Sequence, residues 1–248
     1  MRAFGRWLLW LMFAGVALQL FFLGRIALMA ALDPHSTAFQ RSEAWRVAVG
    51  HARGEGEWRW RQQWVDGEQI SPHLWRAVVA SEDAGFFEHR GVEWEAIQKA
   101  WQKNERRQEQ AERRAAQNPN RATREPKVVG GSTITQQLAK NLLLSGERTL
   151  LRKGQELVLS LMLELLLDKR RLLEIYLNSV EWGQGVFGAE AAAQRYFNKP
   201  ASRLTAYEAA RLAVMLPSPK FFETRPGSAY LARRAGTIVA RMGDIRLP

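Results

Sequence analysis

Several chemistries are excluded by what this sequence lacks. It contains no cysteine, so disulfide staples, a thiolate nucleophile and cysteine-ligated zinc are all ruled out. None of its eleven serines is followed three residues later by lysine, so an acylating Ser-x-x-Lys nucleophile is missing. There is no P-loop, and no HExxH or comparable metal spacing accompanies the few histidines. Acidic residues are also in deficit: 25 Asp and Glu stand against 36 Lys and Arg, for a net charge of +11. Such a balance suits acidic partners, whether phospholipid head groups, pyrophosphate or nucleic acid, although a solvated basic surface accounts for it equally well. At 248 residues the chain can bury one sizeable core without staples and still carry an anchor.

One long apolar run stands near the N-terminus. Trp7 to Leu23 is seventeen residues with Gln19 as its only polar member, and a shorter apolar stretch, Ile26 to Leu32, follows Gly24 and Arg25. At about 1.5 Å per residue the first run nearly spans a hydrocarbon core of roughly 30 Å. Arg25 can snorkel to the far interface, while Trp7 and Trp10 suit the near one. Arg2 and Arg6 precede the run, which favours a cytoplasmic N-terminus and an exported C-terminal domain. An uncleaved anchor over 1–32 is the expectation; a cleaved signal peptide competes through the small residues from Ala27 to Ala31.

Residues 33–70 show no sustained period and read as a linker and membrane-proximal segment. Trp58, Trp60 and Trp64 suggest either an interfacial stretch or half-buried strand packing. From Pro72 the pattern turns helical, with helices expected over His73–Ser81, Val92–Trp101, a segment capped by Ser132 or Thr133 and ending near Leu144, Leu151–Asp168, Arg171–Val180, Ala189–Tyr196, Tyr207–Leu216 behind a Thr205 cap, and Ala229–Met242. The stretch Gln155–Leu167 is too short for a second span and reads as a buried core helix. Residues 103–127 carry twelve charges in twenty-five residues, so they form a poor core and read as a mobile basic insertion whose first half suits an exposed helix. The domain of 71–248 is therefore mainly α.

Three constellations carry chemistry. Glu82-Asp83-x-x-Phe86-x-x-His89-x-Gly91 sets adjacent carboxylates beside aromatics, where desolvation and like charge raise a carboxyl pKa toward values useful for a general base. Ordinary helix termination with Phe packing is the plain alternative. In Gly130 to Asn141, a helix places Ser132, Gln136 and Lys140 on one face at i, i+4 and i+8, extended by Gln137 and Asn141. Its free N-terminal amides attract anions, though an ordinary amphipathic helix gives the same pattern. Arg148, Arg152, Lys153 and Glu156 form either a surface ion-pair group or, with Lys140, a pyrophosphate clamp. The pattern Gly183-x-Gly185-x-x-Gly188 mimics a dinucleotide fingerprint but follows a helical run, so it reads as a tight turn between helices.

Together these segments resemble the glycosyltransferase domain of peptidoglycan synthesis shared with bifunctional penicillin-binding proteins, especially its stand-alone monofunctional form. The likeness covers about residues 70–220. It rests on the three motifs just described, in order, followed by Glu174-x-Tyr176-Leu177-Asn178 with Gly183-x-Gly185-x-x-Gly188, and by Glu208-x-Ala210-x-Leu212-Ala213 with Leu216-Pro217-x-Pro219. The basic insertion departs from the pattern. The resemblance implies a lysozyme-like, two-lobed helical domain resting on the membrane behind one transmembrane helix. It implies lipid II as acceptor and a growing strand on undecaprenyl pyrophosphate as donor. Glu82 is the implied general base of an inverting β-1,4 transfer. Glu156 is the second implied catalytic residue, orienting the cations or helping to position a divalent cation, and Asp83 holds its loop. Asp83, Phe86, His89, Ser132, Thr133, Gln136, Gln137, Lys140, Asn141, Arg148, Arg152 and Lys153 are the implied substrate-binding set. No cofactor is obligatory, and a divalent cation, Mg or Mn, is compatible. Other proteins of cell-wall synthesis or division are compatible partners, while nucleic acid is not expected. A lytic muramidase of the same fold and a non-catalytic basic membrane scaffold are the rival readings.

Overall fold

The computed structural model describes residues 2–55, 58–117, 131–144, 146–147 and 149–248. Helix α1 spans Arg2–Leu28, and its stretch Phe4–Leu28 is long and apolar enough to cross a membrane. Large side chains along it, among them Trp7, Trp10, Phe13 and Phe21, are exposed. The C-terminal end of the helix behaves differently. Ile26 and, just beyond the helix, Met29 are buried in the main hydrophobic core, and Phe22 packs against it. Arg171 fastens the same corner by donating from Nε to the Met29 carbonyl at 2.8 Å and pairing with Asp33 at 2.7 Å.

The region expected to be a linker contains a helix, α2, over Ala38–Ala52. Thr37 caps it, and Gln40 completes a capping box by returning its side chain to the Thr37 amide. The Thr-x-x-Gln signature is visible in the sequence, but the helix has too little amphipathicity to show a period. Strand β1, Arg61–Gln62, follows; Trp60 packs on Phe187 with ring centroids 4.8 Å apart, and Trp58 is exposed.

Helix α3 covers Pro72–Glu82, with Ser71 as cap and proline in its first turn. Helix α4, Trp94–Gln117, runs well past the expected end at Trp101, and it buries no residue. It therefore absorbs residues 103–117 of the basic insertion as an exposed helix; residues 118–127 lie outside the described residues. Helix α5 is Ile134–Leu143, α6 Leu150–Leu166 and α7 Lys169–Ser179. Strands β2, Glu181–Gly183, and β3, Val186–Phe187, precede α8, Ala189–Phe197, then α9, Ala206–Met215, α10, Pro219–Glu223, and α11, Ala229–Arg241.

Two helical groups share the core. One packs α3 on α9 and α9 on α11; the other packs α5 on α6 and α7. The glycine-rich stretch is not a turn between helices. It forms the hairpin of a small sheet ordered β1-β3-β2, with β1 parallel and β2 antiparallel to β3. Gly185 has φ +68°, and a Cβ there would lie 2.0 Å from the Arg59 carbonyl oxygen, so only glycine lets β1 approach. Helix α6 also departs from expectation. It buries a stripe at Glu156, Leu159, Ser160 and Leu163, whereas Leu150, Leu151, Leu161 and Leu165 are exposed.

Candidate active site

Glu82 ends α3, where the helix brings its carboxylate under α5 and α7. Gln137 Nε2, on the first turns of α5, donates to Glu82 Oε2 at 3.1 Å, and Gln137 Oε1 accepts from the Tyr176 hydroxyl of α7 at 2.9 Å. Burial pushes the Glu82 carboxyl above the usual carboxylate range and the Asp83 charge adds to this; the Gln137 hydrogen bond and the Arg234 charge oppose it. Burial, with the charges of Glu82 and Asp83, likewise pushes the Tyr176 phenol well above its ordinary value. Tyr176 therefore stays a neutral donor that holds Gln137 in the orientation presenting its amide N–H to Glu82.

Asp83 faces another way. Its buried carboxylate accepts from His89 Nε2 at 2.9 Å and from the Ile134 backbone N–H at 2.9 Å, the latter at the start of α5. A carboxylate at a helix N-terminus meets unpaired amides and the positive end of the dipole. His89 Nδ1 accepts from the Gly91 N–H at 3.1 Å, which places the imidazole proton on Nε2, toward Asp83. Thr133 Oγ1 donates to the Gly91 carbonyl at 2.6 Å and accepts from the Gln136 N–H as helix cap. Gly91 has φ +83°, and a Cβ there would come within 2.9 Å of Glu164 Cγ. The motif from Glu82 to Gly91 thus folds as a loop clamped to α5, with the fully buried Phe86 as its plug and Lys169 Nζ 4.5 Å above that ring.

Asp83, His89 and Glu93 offer ligand atoms within 4.8 Å of one another. Both ring nitrogens of His89 are already engaged, one accepting from Gly91 and one facing Asp83. A cation at this place would have to displace the strut that holds the loop, so these residues do not fit a resident metal.

The expected single polar face on α5 divides among three tasks. Gln136 is buried and closes the capping box with Thr133. Gln137 turns to Glu82. Ser132 and Lys140 are exposed, with Asn141 half-buried on the last turn.

The cationic group gathers around α6. Glu156 is buried, with Oε2 accepting from the Arg152 guanidinium at 2.9 Å and Oε1 accepting from Lys153 Nζ. Arg152 is mostly covered and Lys153 is half-exposed. The Arg152 Nε is buried without an acceptor. Lys153, Ser132 and Gln136 line a cleft of about 570 Å³, whose opposite wall is Ile97, Trp101 and Asn104 of α4. Glu82 does not line this cleft; α5 stands between the two, capped by Gln136 and carrying Gln137. Arg148 lies outside the described residues.

The structure thus assembles Glu82, Asp83, Phe86, His89, Thr133 and Gln137 at one place. Ser132, Gln136 and Lys153 line the neighbouring cleft, and Glu156 and Arg152 join it through Lys153. Sequence reasoning gave no part in the site to Tyr176, Glu93, Arg234 or the α4 wall. For Tyr176, its place in the motif Glu174-x-Tyr176-Leu177-Asn178 was the available signal; it is fully buried on α7.

Comparison with known proteins gives the family. The sequence model of the family described as "Transglycosylase" matches residues 51–243. A "Biosynthetic peptidoglycan transglycosylase" of Burkholderia pseudomallei is 50% identical over 251 residues, covering 100% of this chain and 90% of the relative. Proteins of the same name are 50% identical in Burkholderia thailandensis, with 100% and 90% covered, and in Burkholderia orbicola, with 95% and 89% covered. The mainly helical domain is accordingly lysozyme-like. The chain therefore belongs to the transglycosylase family, among the monofunctional-length biosynthetic peptidoglycan transglycosylases that polymerise glycan strands.

Proposed function

We propose that this enzyme polymerises lipid II by an inverting transfer in which Glu82 is the general base. The acceptor 4-hydroxyl oxygen attacks the donor anomeric carbon, and the bond from that carbon to the pyrophosphate oxygen breaks. The hydroxyl proton passes to the Glu82 carboxylate, and undecaprenyl pyrophosphate leaves as an anion. A pyrophosphate needs charge neutralisation more than protonation, which Arg152 and Lys153 supply, with Lys140 and Arg148 as further cations and Glu156 as the group that orients the pair. Asp83 and His89 position the loop. Ser132, Thr133, Gln136 and Asn141 belong to the sugar-phosphate path on the α5 side. The observation that carries the reading is the Glu82 carboxylate, half-buried, raised in basicity by desolvation and oriented by the Gln137 amide.

On the same reading α1 crosses the cytoplasmic membrane once, with Arg2 and Arg6 inside and the enzyme domain on the outer side. The test is initial-rate polymerisation of labelled lipid II by the purified full-length chain, with muramidase digestion of the product. Glu82→Gln should lose about 10²–10⁴ in kcat with little change in KM. Near-normal turnover by a folded Glu82→Gln protein removes Glu82 as the base.

A further inference from the structure

Helix α6 turns three polar side chains inward, Glu156, Ser160 and Glu164, at i, i+4 and i+8. Glu156 holds the cations at one end of this stripe. Glu164, about 12 Å further along the helix axis, has no part in the transfer described above, yet its side chain is only 7% exposed. A carboxylate is carried so deep only where partners are fixed around it.

Those partners come from three separate elements. Thr135 Oγ1, fully buried in the first turn of α5, donates to Glu164 Oε1 at 2.5 Å. Lys169 Nζ, at the start of α7, donates to the same oxygen at 2.8 Å. Gly91 lies over the stripe: a Cβ built on it would come 2.9 Å from Glu164 Cγ and 3.4 Å from the Ser160 carbonyl oxygen. Each contact adjoins a group that orients the base. Thr135 follows Ile134, whose amide binds Asp83, and precedes Gln137, which binds Glu82, by two residues. The Lys169 ammonium stands 4.5 Å from the centroid of the Phe86 ring, in the same loop as Glu82.

With the function proposed above as its premise, we infer that Glu164 is a positioning residue for the base: one carboxylate that fixes both the loop from Glu82 to Gly91 and the start of α5 against α6. Helix α6 then carries the leaving-group cations through Glu156 and the base loop through Glu164, and its rigid rise sets the spacing between them. The ion pair also decides where Lys169 goes. A free lysine stem extends to water; paired with Glu164, it presses its ammonium onto Phe86, the plug of the loop. Glu164 acts through the loop and α5, not on the reacting atoms.

The test uses the full-length protein and labelled lipid II, well below the Tm of every variant. Glu164→Gln keeps the shape and an acceptor for Thr135 but releases Lys169. It should lower kcat about tenfold, less than the hundredfold that roughly 1 Å of misplacement costs, and leave KM within about twofold. Lys169→Met should do the same, and Lys169→Arg should restore most of the rate. The double variant Glu164→Gln, Lys169→Met should be no slower than the poorer single one, because both act through one contact. Arg170→Met, at the exposed neighbour that faces Glu68 at 3.9 Å, should change nothing. Hydrogen exchange gives a second readout: in Glu164→Gln the amides of residues 83–91 and 134–137 should exchange faster, while those of α9 and α11 keep their rates. Unchanged kcat in folded Glu164→Gln overturns the proposal, as do multiplicative losses in the double variant or a slower enzyme without faster exchange in the loop. Should Glu164→Gln not fold, Lys169→Met carries the same comparisons at a side chain that is 21% exposed. Near-normal turnover by Glu82→Gln, assayed alongside, would instead defeat the functional reading, and the exchange pattern would still report whether Glu164 holds the loop.

Discussion

Gln137 reaches Glu82 with its amide nitrogen while its oxygen is held by Tyr176, so one glutamine is fixed at both ends and can present only a donor to the carboxylate. The arrangement favours the ionised form of a group that burial otherwise disfavours. Gln137→Leu removes this donor and leaves the Tyr176 hydroxyl without its acceptor. The acid limb of the pH–rate profile should move upward by about one unit, the scale of one lost hydrogen bond to a charge. An unmoved limb in a folded variant would show that Gln137 does not govern Glu82.

Arg152 and Lys153 hold the same carboxylate but should respond differently to removal. Arg152 is mostly buried, so Arg152→Ala leaves the buried Glu156 with only the half-exposed Lys153 as partner and should cost about 1–3 kcal/mol of stability as well as turnover. Lys153 is half-exposed and lines the open cleft. Lys153→Ala should leave Tm nearly unchanged and raise KM for lipid II. Thermal denaturation beside steady-state kinetics separates the two; equal losses of Tm would contradict the assignment.

The pH dependence of stability should carry a signature of Glu181. This buried residue of β2 lies 3.3 Å from Lys220 Nζ without hydrogen-bond geometry, and Lys220 is also bonded to Glu43 at 2.7 Å. Burial pushes the Glu181 carboxyl up to about 7 from 4.5. A raised carboxyl binds its proton more tightly in the folded state, so its stabilising contribution is complete below pH 4.5 and is lost as pH rises through about 7. Glu181→Gln cannot ionise and should flatten that decline, leaving the variant the more stable protein at pH 8, by an amount on the order of 2 kcal/mol. Parallel Tm–pH curves for the two proteins would count against it.

Truncation should distinguish a tether from a structural helix. A chain lacking residues 1–21 keeps Phe22, Ile26 and Met29 and should fold with nearly full stability in detergent. A chain lacking residues 1–32 uncovers the core where Ile26 and Met29 sit. Two buried apolar side chains are worth at most about 3–6 kcal/mol, which corresponds to a drop in Tm of order 10 °C. Identical melting of the two truncated chains would place Ile26 and Met29 outside the cooperative unit.

Much of the architecture was legible because its signals are local. Proline at the start of α3, the Thr133 and Thr205 caps and the apolar periods of α7 and α11 each mark a helix by neighbours within a turn or two. Helix α2 escaped because its apolar residues do not gather on one face, although Thr37 and Gln40 advertise its start. The end of α4 lies beyond the expected one because residues 103–117 are highly charged and carry no apolar side chain but alanine, so no core-facing side chain marks the continuation. For α6 the sequence gives hydrophobicity but not which side is covered: Leu159 and Leu163 are buried, whereas Leu161 and Leu165 are exposed.

By itself, then, the sequence determined the helical class, the long apolar N-terminal helix, the order of the motifs and the residue types available for base and cation work, since each follows from composition or from spacing along one element. Tertiary structure decided which of two adjacent carboxylates does what. Glu82 and Asp83 are neighbours in the chain, yet the end of α3 sends one to Gln137 and the other to His89 and the first amide of α5. It also divided Gln136 from Gln137, turning one into a cap and the other into a partner of Glu82, because successive helical residues point about 100° apart. Whether a polar side chain serves chemistry or scaffold is set by what lies opposite it, and that comes from elements distant in sequence.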